Sequence, residues 1–234
     1  MVLSDIQKRL EALGDARVAE ASRRFFKTGP GEYGEGDRFR GIRVPVLRGL
    51  AKEYQSMTPA EAAGLLASAF HEDRLLALLI LVRLYSRGDE ASREEIYRLY
   101  LKSTRLINNW DLVDSSAEHI VGAHLWDRPR APLRRLAKSA DLWERRVAVL
   151  ATFHFIRRGE FVETLAVARA LLSDREDLIH KAVGWMLREV GKRDPEAEEQ
   201  FLKEHYRRMP RVMLRYAVER FPEEKRRRYL KGEV

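Results

Sequence analysis

The sequence predicts an all-α fold made by stacking helical pairs, and three observations carry that prediction. Almost every segment repeats its apolar residues at helical spacing, strand signals are absent, and a weak self-similarity recurs at about 36 residues and at about twice that. The start, Met1 to Leu13, is amphipathic and lacks the apolar core of a secretory signal. A glycine-rich segment near 29–41 reads as a loop between helices. Thr58-Pro59-Ala60-Glu61 reads as a helix start, with an N-cap threonine, a proline at the first position and an acid in the first turn. Arg74 to Tyr85 and Leu142 to Ile156 are apolar almost throughout. In Leu178 to Val190, positions 178, 179, 182, 183, 186, 187 and 190 make one face. Gly88, Gly159 and Gly191 follow helix ends rich in Arg or Lys.

Shifting residues 73–88 by 71 lays Ala77, Leu78, Val82, Leu84, Tyr85, Arg87 and Gly88 onto Ala148, Val149, Phe153, Phe155, Ile156, Arg158 and Gly159. A further shift of 36 lays Asp141-Leu142 onto Asp177-Leu178. A single helical pair cannot bury its apolar face without neighbours, so the spacing points to an α-solenoid with a concave surface. A compact helical bundle is the other architecture open to these helices. Residues 1–234 are expected to form one domain.

Composition narrows the chemistry. The 234 residues include no cysteine, which excludes disulfides, thiolate catalysis and cysteine-ligated metals. The longest apolar run, Leu75 to Val82, is too short to span a bilayer, so a cytoplasmic protein with no membrane partner is expected; a nucleoid-associated monomer is the expected state. The net charge is +8, and it is polarised: residues 1–126 hold 18 basic and 18 acidic side chains, residues 127–234 hold 26 and 18. Arginine supplies 34 of the 44 cations, which suits bidentate phosphate contacts, although a solvated Arg-rich surface would look the same.

Several motifs are set aside. Gly29-Pro30-Gly31-Glu32-Tyr33-Gly34 matches the dinucleotide pattern in letters, but no strand precedes it, and Glu32 and Glu35 would face a pyrophosphate. The histidines 71, 119, 124, 154, 180 and 205 form no i, i+4 pair, which argues against a catalytic metal. Lys225 to Arg228 reads as a solvated helix end, with phosphate contact a secondary role.

The informative anomaly is tryptophan on the polar side of helices. Trp185 shares a face with Lys181 and Arg188, opposite the apolar stripe, an arrangement suited to packing on a nucleotide while the cations take phosphates. Asn108 to Asp114 starts another helix, whose apolar face is Val113, Ala117, Ile120 and Val121; Trp110 and Asp114 share its other face. A carboxylate near the positive end of a helix can face a developing cation, or serve only the helix dipole. Arg146 interrupts an apolar stretch and so either lines a groove or pairs with a buried carboxylate. Trp126 and Trp143 are assigned to packing.

The segments Asn109-Trp110-Asp111-Leu112-Val113-Asp114-Ser115, Leu142 to Ala148 and Lys181 to Glu189 resemble, in that order, the AlkD-type DNA alkylation-repair glycosylases. Phe26 to Tyr33 and Gly41 to Pro45 are similar to that family's entry segment, and the likeness spans roughly residues 20–220. The resemblance implies a right-handed solenoid of HEAT-like repeats whose concave basic groove cradles duplex DNA. It also implies excision of cationic N-alkylated purines, such as N7-methylguanine and N3-methyladenine, with no deep base pocket. Carried over by motif, Asp114 is the catalytic carboxylate, Trp110 and Trp185 frame the lesion's deoxyribose and backbone, and Arg146 contacts the DNA backbone. A monofunctional enzyme that leaves an abasic site and needs no metal or organic cofactor is expected. A non-catalytic HEAT-like nucleic-acid-binding protein would explain the charge and the aromatics, but not an anion beside DNA. A protein-binding scaffold would show little salt-dependent DNA binding.

Overall fold

The structure, a computed structural model, describes residues 2–234; Met1 of the amphipathic start lies outside the described residues. Among the described residues the fold is all-α, without a strand, and a lone parallel bridge joins Arg38 and Phe70. The helices are α1 (Val2–Ala12), α2 (Ala16–Phe25), α3 (Val44–Glu53), α4 (Pro59–Leu66), α5 (His71–Arg87), α6 (Glu90–Lys102) and α7 (Trp110–Asp114). They continue as α8 (Ala131–Leu136), α9 (Leu142–Ala151), α10 (Phe153–Ile156), α11 (Val162–Ala170), α12 (Asp177–Gly191), α13 (Pro195–His205), α14 (Arg211–Ala217) and α15 (Glu223–Lys231). Among the described residues no helix is long and apolar enough to cross a membrane.

Two compact units divide the chain between Ile120 and Val121. Residues 121–126 carry no charged side chain, so the division leaves all of the +8 in the second unit.

In the first unit α5 is the centre, packed on α3, α4, α6 and α7. Its residues 71–81 are all buried, which is why the sequence shows a continuous apolar run there instead of a stripe. The expected start at Thr58 is a complete capping box: the Thr58 hydroxyl accepts from the Glu61 amide at 3.2 Å, and Glu61 accepts from the Thr58 amide at 2.8 Å.

In the second unit α12 is the centre, packed on α9, α11, α13 and α14. Ile179, Ala182, Val183, Met186, Leu187 and Val190 of the expected face are buried. Gly184 sets the approach of α14: a Cβ at that position would stand 2.4 Å from the Met213 carbonyl oxygen and 2.6 Å from Tyr216 Cβ. The run expected from 142 to 156 is split. Thr152 donates its hydroxyl to the Val149 carbonyl at 2.7 Å, ending α9 and handing over to α10. Asp141 caps α9 through the amides of Trp143 and Glu144, whereas its repeat partner Asp177 pairs with Lys181.

Candidate nucleic-acid site

The first unit holds the Trp110–Asp114 turn. Asn109, in an extended conformation, accepts the Trp110 amide on its side-chain oxygen at 2.8 Å and so caps α7. Leu112 and Val113 are fully buried, while Trp110 and Asp114 are half-buried on the other side of the turn. The helix is shorter than expected. Ser115 and Ser116 donate to the carbonyls of Asp111 and Leu112 at 2.7 and 2.6 Å, breaking the ladder before a π-helical turn at Glu118–Gly122. Asp114 therefore closes α7, so the helix dipole expected to support its carboxylate is not its setting. It lies near the buried Tyr100 phenol. Burial pushes that phenol's pKa up, the Ser116 hydrogen bond opposes the rise, and the Asp114 charge adds to it.

Beneath the turn lies a network that sequence reasoning missed. His71, 2 % exposed, contacts Asp37 Oδ2 through Nδ1 at 3.1 Å and Asp111 Oδ2 through Nε2 at 2.8 Å. Burial alone would lower its pKa, but the hydrogen bonds and charges of Asp111 and Asp37 prevail and raise it to about 9. Asp37 also receives Arg74 Nη2 at 2.5 Å and Asn109 Nδ2 at 3.2 Å. Its burial works against the charge, yet contacts with His71, Arg74 and Asn109 hold it below the usual carboxylate range. Two anions face two cations, so the buried cluster is close to neutral.

An aromatic stack covers it. Phe26 lies on Trp110 (centroids 5.4 Å apart, 25° between planes), on Phe39 (5.2 Å, 17°) and against His71 (4.7 Å). Phe25, 64 % exposed, meets Trp110 edge-on at 5.8 Å. Such pairs each add about 0.5–1.5 kcal/mol beyond area burial. The strand-like segment that supplies Phe39 is held by the buried Glu72, which accepts the amides of Arg40, Gly41 and Ile42 at 2.9, 2.7 and 3.2 Å. Gly41 has φ +83°, and a Cβ there would stand 2.0 Å from the Asp15 carbonyl oxygen, so glycine is required. The 29–34 loop is no phosphate cradle: Glu32 and Glu35 accept the Gly29 and Gly31 amides at 2.8 Å each.

The second unit holds Trp185, half-buried, its ring edge-on to Phe153 at 5.9 Å and its indole N–H donating to Glu189 Oε1 at 3.3 Å. Glu189 also receives Lys192 and Arg193; burial would raise its pKa, and those partners lower it below the usual range. Lys181 and Arg188 do flank Trp185, but each has a carboxylate partner: Lys181 meets Asp177 at 2.5 Å, and Arg188 meets Glu219. Arg146 is 5 % exposed and donates to the Leu178 carbonyl at 2.6 Å. Trp143 is buried as expected. Trp126, also assigned to packing, stacks on Phe155 with centroids 5.9 Å apart, yet it stays 37 % exposed, with the Arg158 and Arg130 guanidinium carbons 5.4 and 5.9 Å from the ring centre. Among the described residues no three His, Asp or Glu side chains could hold a metal ion.

The family model described as DNA alkylation repair enzyme matches residues 6–221. The chain belongs to the DNA alkylation repair enzyme family. A role in the repair of alkylation damage follows from that membership. The fold is shared with a solved structure described as a predicted DNA alkylation repair enzyme from Enterococcus faecalis. The TM-score is 0.69 at 17 % identity, covering 90 % of this chain and 97 % of that one. It is also similar to smu.31 from Streptococcus mutans UA159, with TM-score 0.55 at 19 % identity, covering 76 % and 93 %. No curated protein is similar enough to count as a match.

Proposed function

We propose that this member of the DNA alkylation repair family is a monofunctional glycosylase that excises cationic N-alkylated purines from duplex DNA. The observation that carries the reading is the capped Trp110–Asp114 turn, in which an aromatic and a carboxylate stand one helical turn apart on a partly open face. Alkylation at N7 of guanine or N3 of adenine makes the base cationic and a good leaving group. Cleavage then needs little acid catalysis and passes through an oxocarbenium-like sugar. A fixed Asp114 carboxylate beside C1′ stabilises that cation and orients the attacking water, while the Trp110 face attracts cationic character and excludes solvent. The base leaves with the glycosidic electron pair and becomes neutral. The water oxygen bonds to C1′ and gives up one proton to the Asp114 carboxylate and from there to solvent, and an abasic site remains.

In the second unit, Trp185 is the DNA-facing aromatic of this reading. Lys181 and Arg188 reach phosphates by exchanging Asp177 and Glu219 for them. Arg146, with its Leu178 contact, supports the backbone-binding surface at the start of α12.

The test is incubation of purified protein with methylated duplex DNA, followed by identification of the bases released. N7-methylguanine and N3-methyladenine are expected, with strand breaks only after alkali. Absence of released base, with DNA binding intact, would leave a binding module in place of an enzyme.

A further inference from the structure

We propose that His71 is a positioning residue for base excision: bridging Asp37 to Asp111 beneath the aromatic stack, it holds Trp110 and the turn that carries Asp114. The inference rests on the excision reading above. Both ring nitrogens of His71 face a carboxylate oxygen, at 3.1 and 2.8 Å. A neutral imidazole has one N–H and one lone pair, so one of those contacts would set lone pair against lone pair. Only the imidazolium satisfies both. A ring pKa of about 9 agrees with that geometry.

Three links run from this ring to Trp110. Asp111 belongs to α7 itself, and its other oxygen accepts the Leu112 amide at 2.9 Å. Asp37 accepts from Asn109, whose oxygen caps the Trp110 amide. Phe26 contacts His71 and Trp110 with the same ring. The charged groups around the imidazole are Asp37 and Asp111, with Arg74 of α5 set against Asp37. Its neighbours on α5, Glu72 and Asp73, turn to the 40–42 amides and to Arg40. Removing the positive charge leaves Asp111 without its cation and Asp37 with Arg74 alone, and the turn is then free to shift. The expected penalty falls on the chemical step, because displacements of about an ångström cost on the order of a hundredfold in rate when reacting groups must align. DNA capture by the charged second unit is unaffected.

The experiment compares wild type, His71→Gln and Asp111→Asn in three readouts: single-turnover release of N7-methylguanine, affinity for undamaged duplex, and the Trp110 indole resonance assigned with Trp110→Phe. Both variants should release base at least about tenfold more slowly, with unchanged duplex affinity and a displaced Trp110 resonance. Wild-type rates, or slow rates with the resonance unmoved, would overturn the inference. If His71→Gln does not fold, Asp111→Asn decides, since it keeps the side-chain shape and an oxygen toward the ring. A wild-type protein that releases no alkylated base defeats the excision reading instead, and the indole resonance in the variants then tests the hold on Trp110 alone.

Discussion

His71 Nε2 and Asp111 Oδ2 stand 2.8 Å apart, a contact that ties the central helix of the first unit to the turn ending in Asp114. It makes stability depend on alkaline pH. The His71 pKa is raised from 6.5 to about 9 in the folded chain, so its contribution is complete below about pH 6.5 and is lost as pH climbs through about 9. Melting curves at pH 6, 7.5 and 9.5 should show Tm falling across that window. In His71→Gln the melting temperature should be lower at pH 6 and the alkaline fall flatter. Parallel wild-type and variant curves would count against a charged His71.

Asp114→Asn keeps the shape of the turn and removes the anion. Base release should fall on the order of a hundredfold or more, the usual consequence of losing one preorganised charge-stabilising group. Binding to a duplex with an abasic-site analogue should survive, as a gel-shift titration would register. Excision at the wild-type rate would transfer the catalytic role away from Asp114.

Gly184→Ala should lower Tm by an amount matching about 1–3 kcal/mol, because the new methyl meets the Met213 carbonyl on α14 and neither backbone can yield cheaply. A thermal melt unchanged from wild type would mean that the two helices separate without penalty.

Glu198 on α13 is buried, with Oε1 unpartnered. Burial pushes its pKa up to about 8, against the pull of Lys225 and Arg188 and with a smaller push from Glu199. The unfolded carboxyl ionises near 4.5, so this residue costs stability progressively between about pH 4.5 and 8. Glu198→Gln should raise Tm at pH 8 relative to wild type and leave it nearly unchanged at pH 4.5. A lower Tm at pH 8 would show that the carboxylate is stabilising.

DNA affinity should fall steeply with salt, with a log–log slope of several units, since each neutralised phosphate adds about 0.9. Filter binding between 50 and 200 mM salt, roughly the range over which such contacts are usually resolved, would expose a flat response if the basic second unit does not meet DNA.

What could be read from the sequence was local. The Thr58 capping box, the Asn109 cap, the buried face of α12 and the polar-side position of Trp185 all depend on residues within a turn or two of each other. The buried cluster was not legible, because His71 meets partners 34 and 40 residues away, and spacing along the chain says nothing about such pairs. A signal was present in His71-Glu72-Asp73-Arg74, four ionisable residues opening the most apolar run of the chain, where burial demands partners. The pairing of Arg188 with Glu219 was hidden for the same reason, and the length of α7 turned on two serine hydroxyls that could equally have faced water.

The loop at 29–34 brings its own competitor. Glu32 and Glu35 are tethered three and four residues from the amides they occupy, so a free anion would have to evict ligands present at a very high effective concentration. A stretch that spells a nucleotide-binding pattern is thereby self-quenched, and its occupancy is decided by side chains that the pattern leaves unspecified.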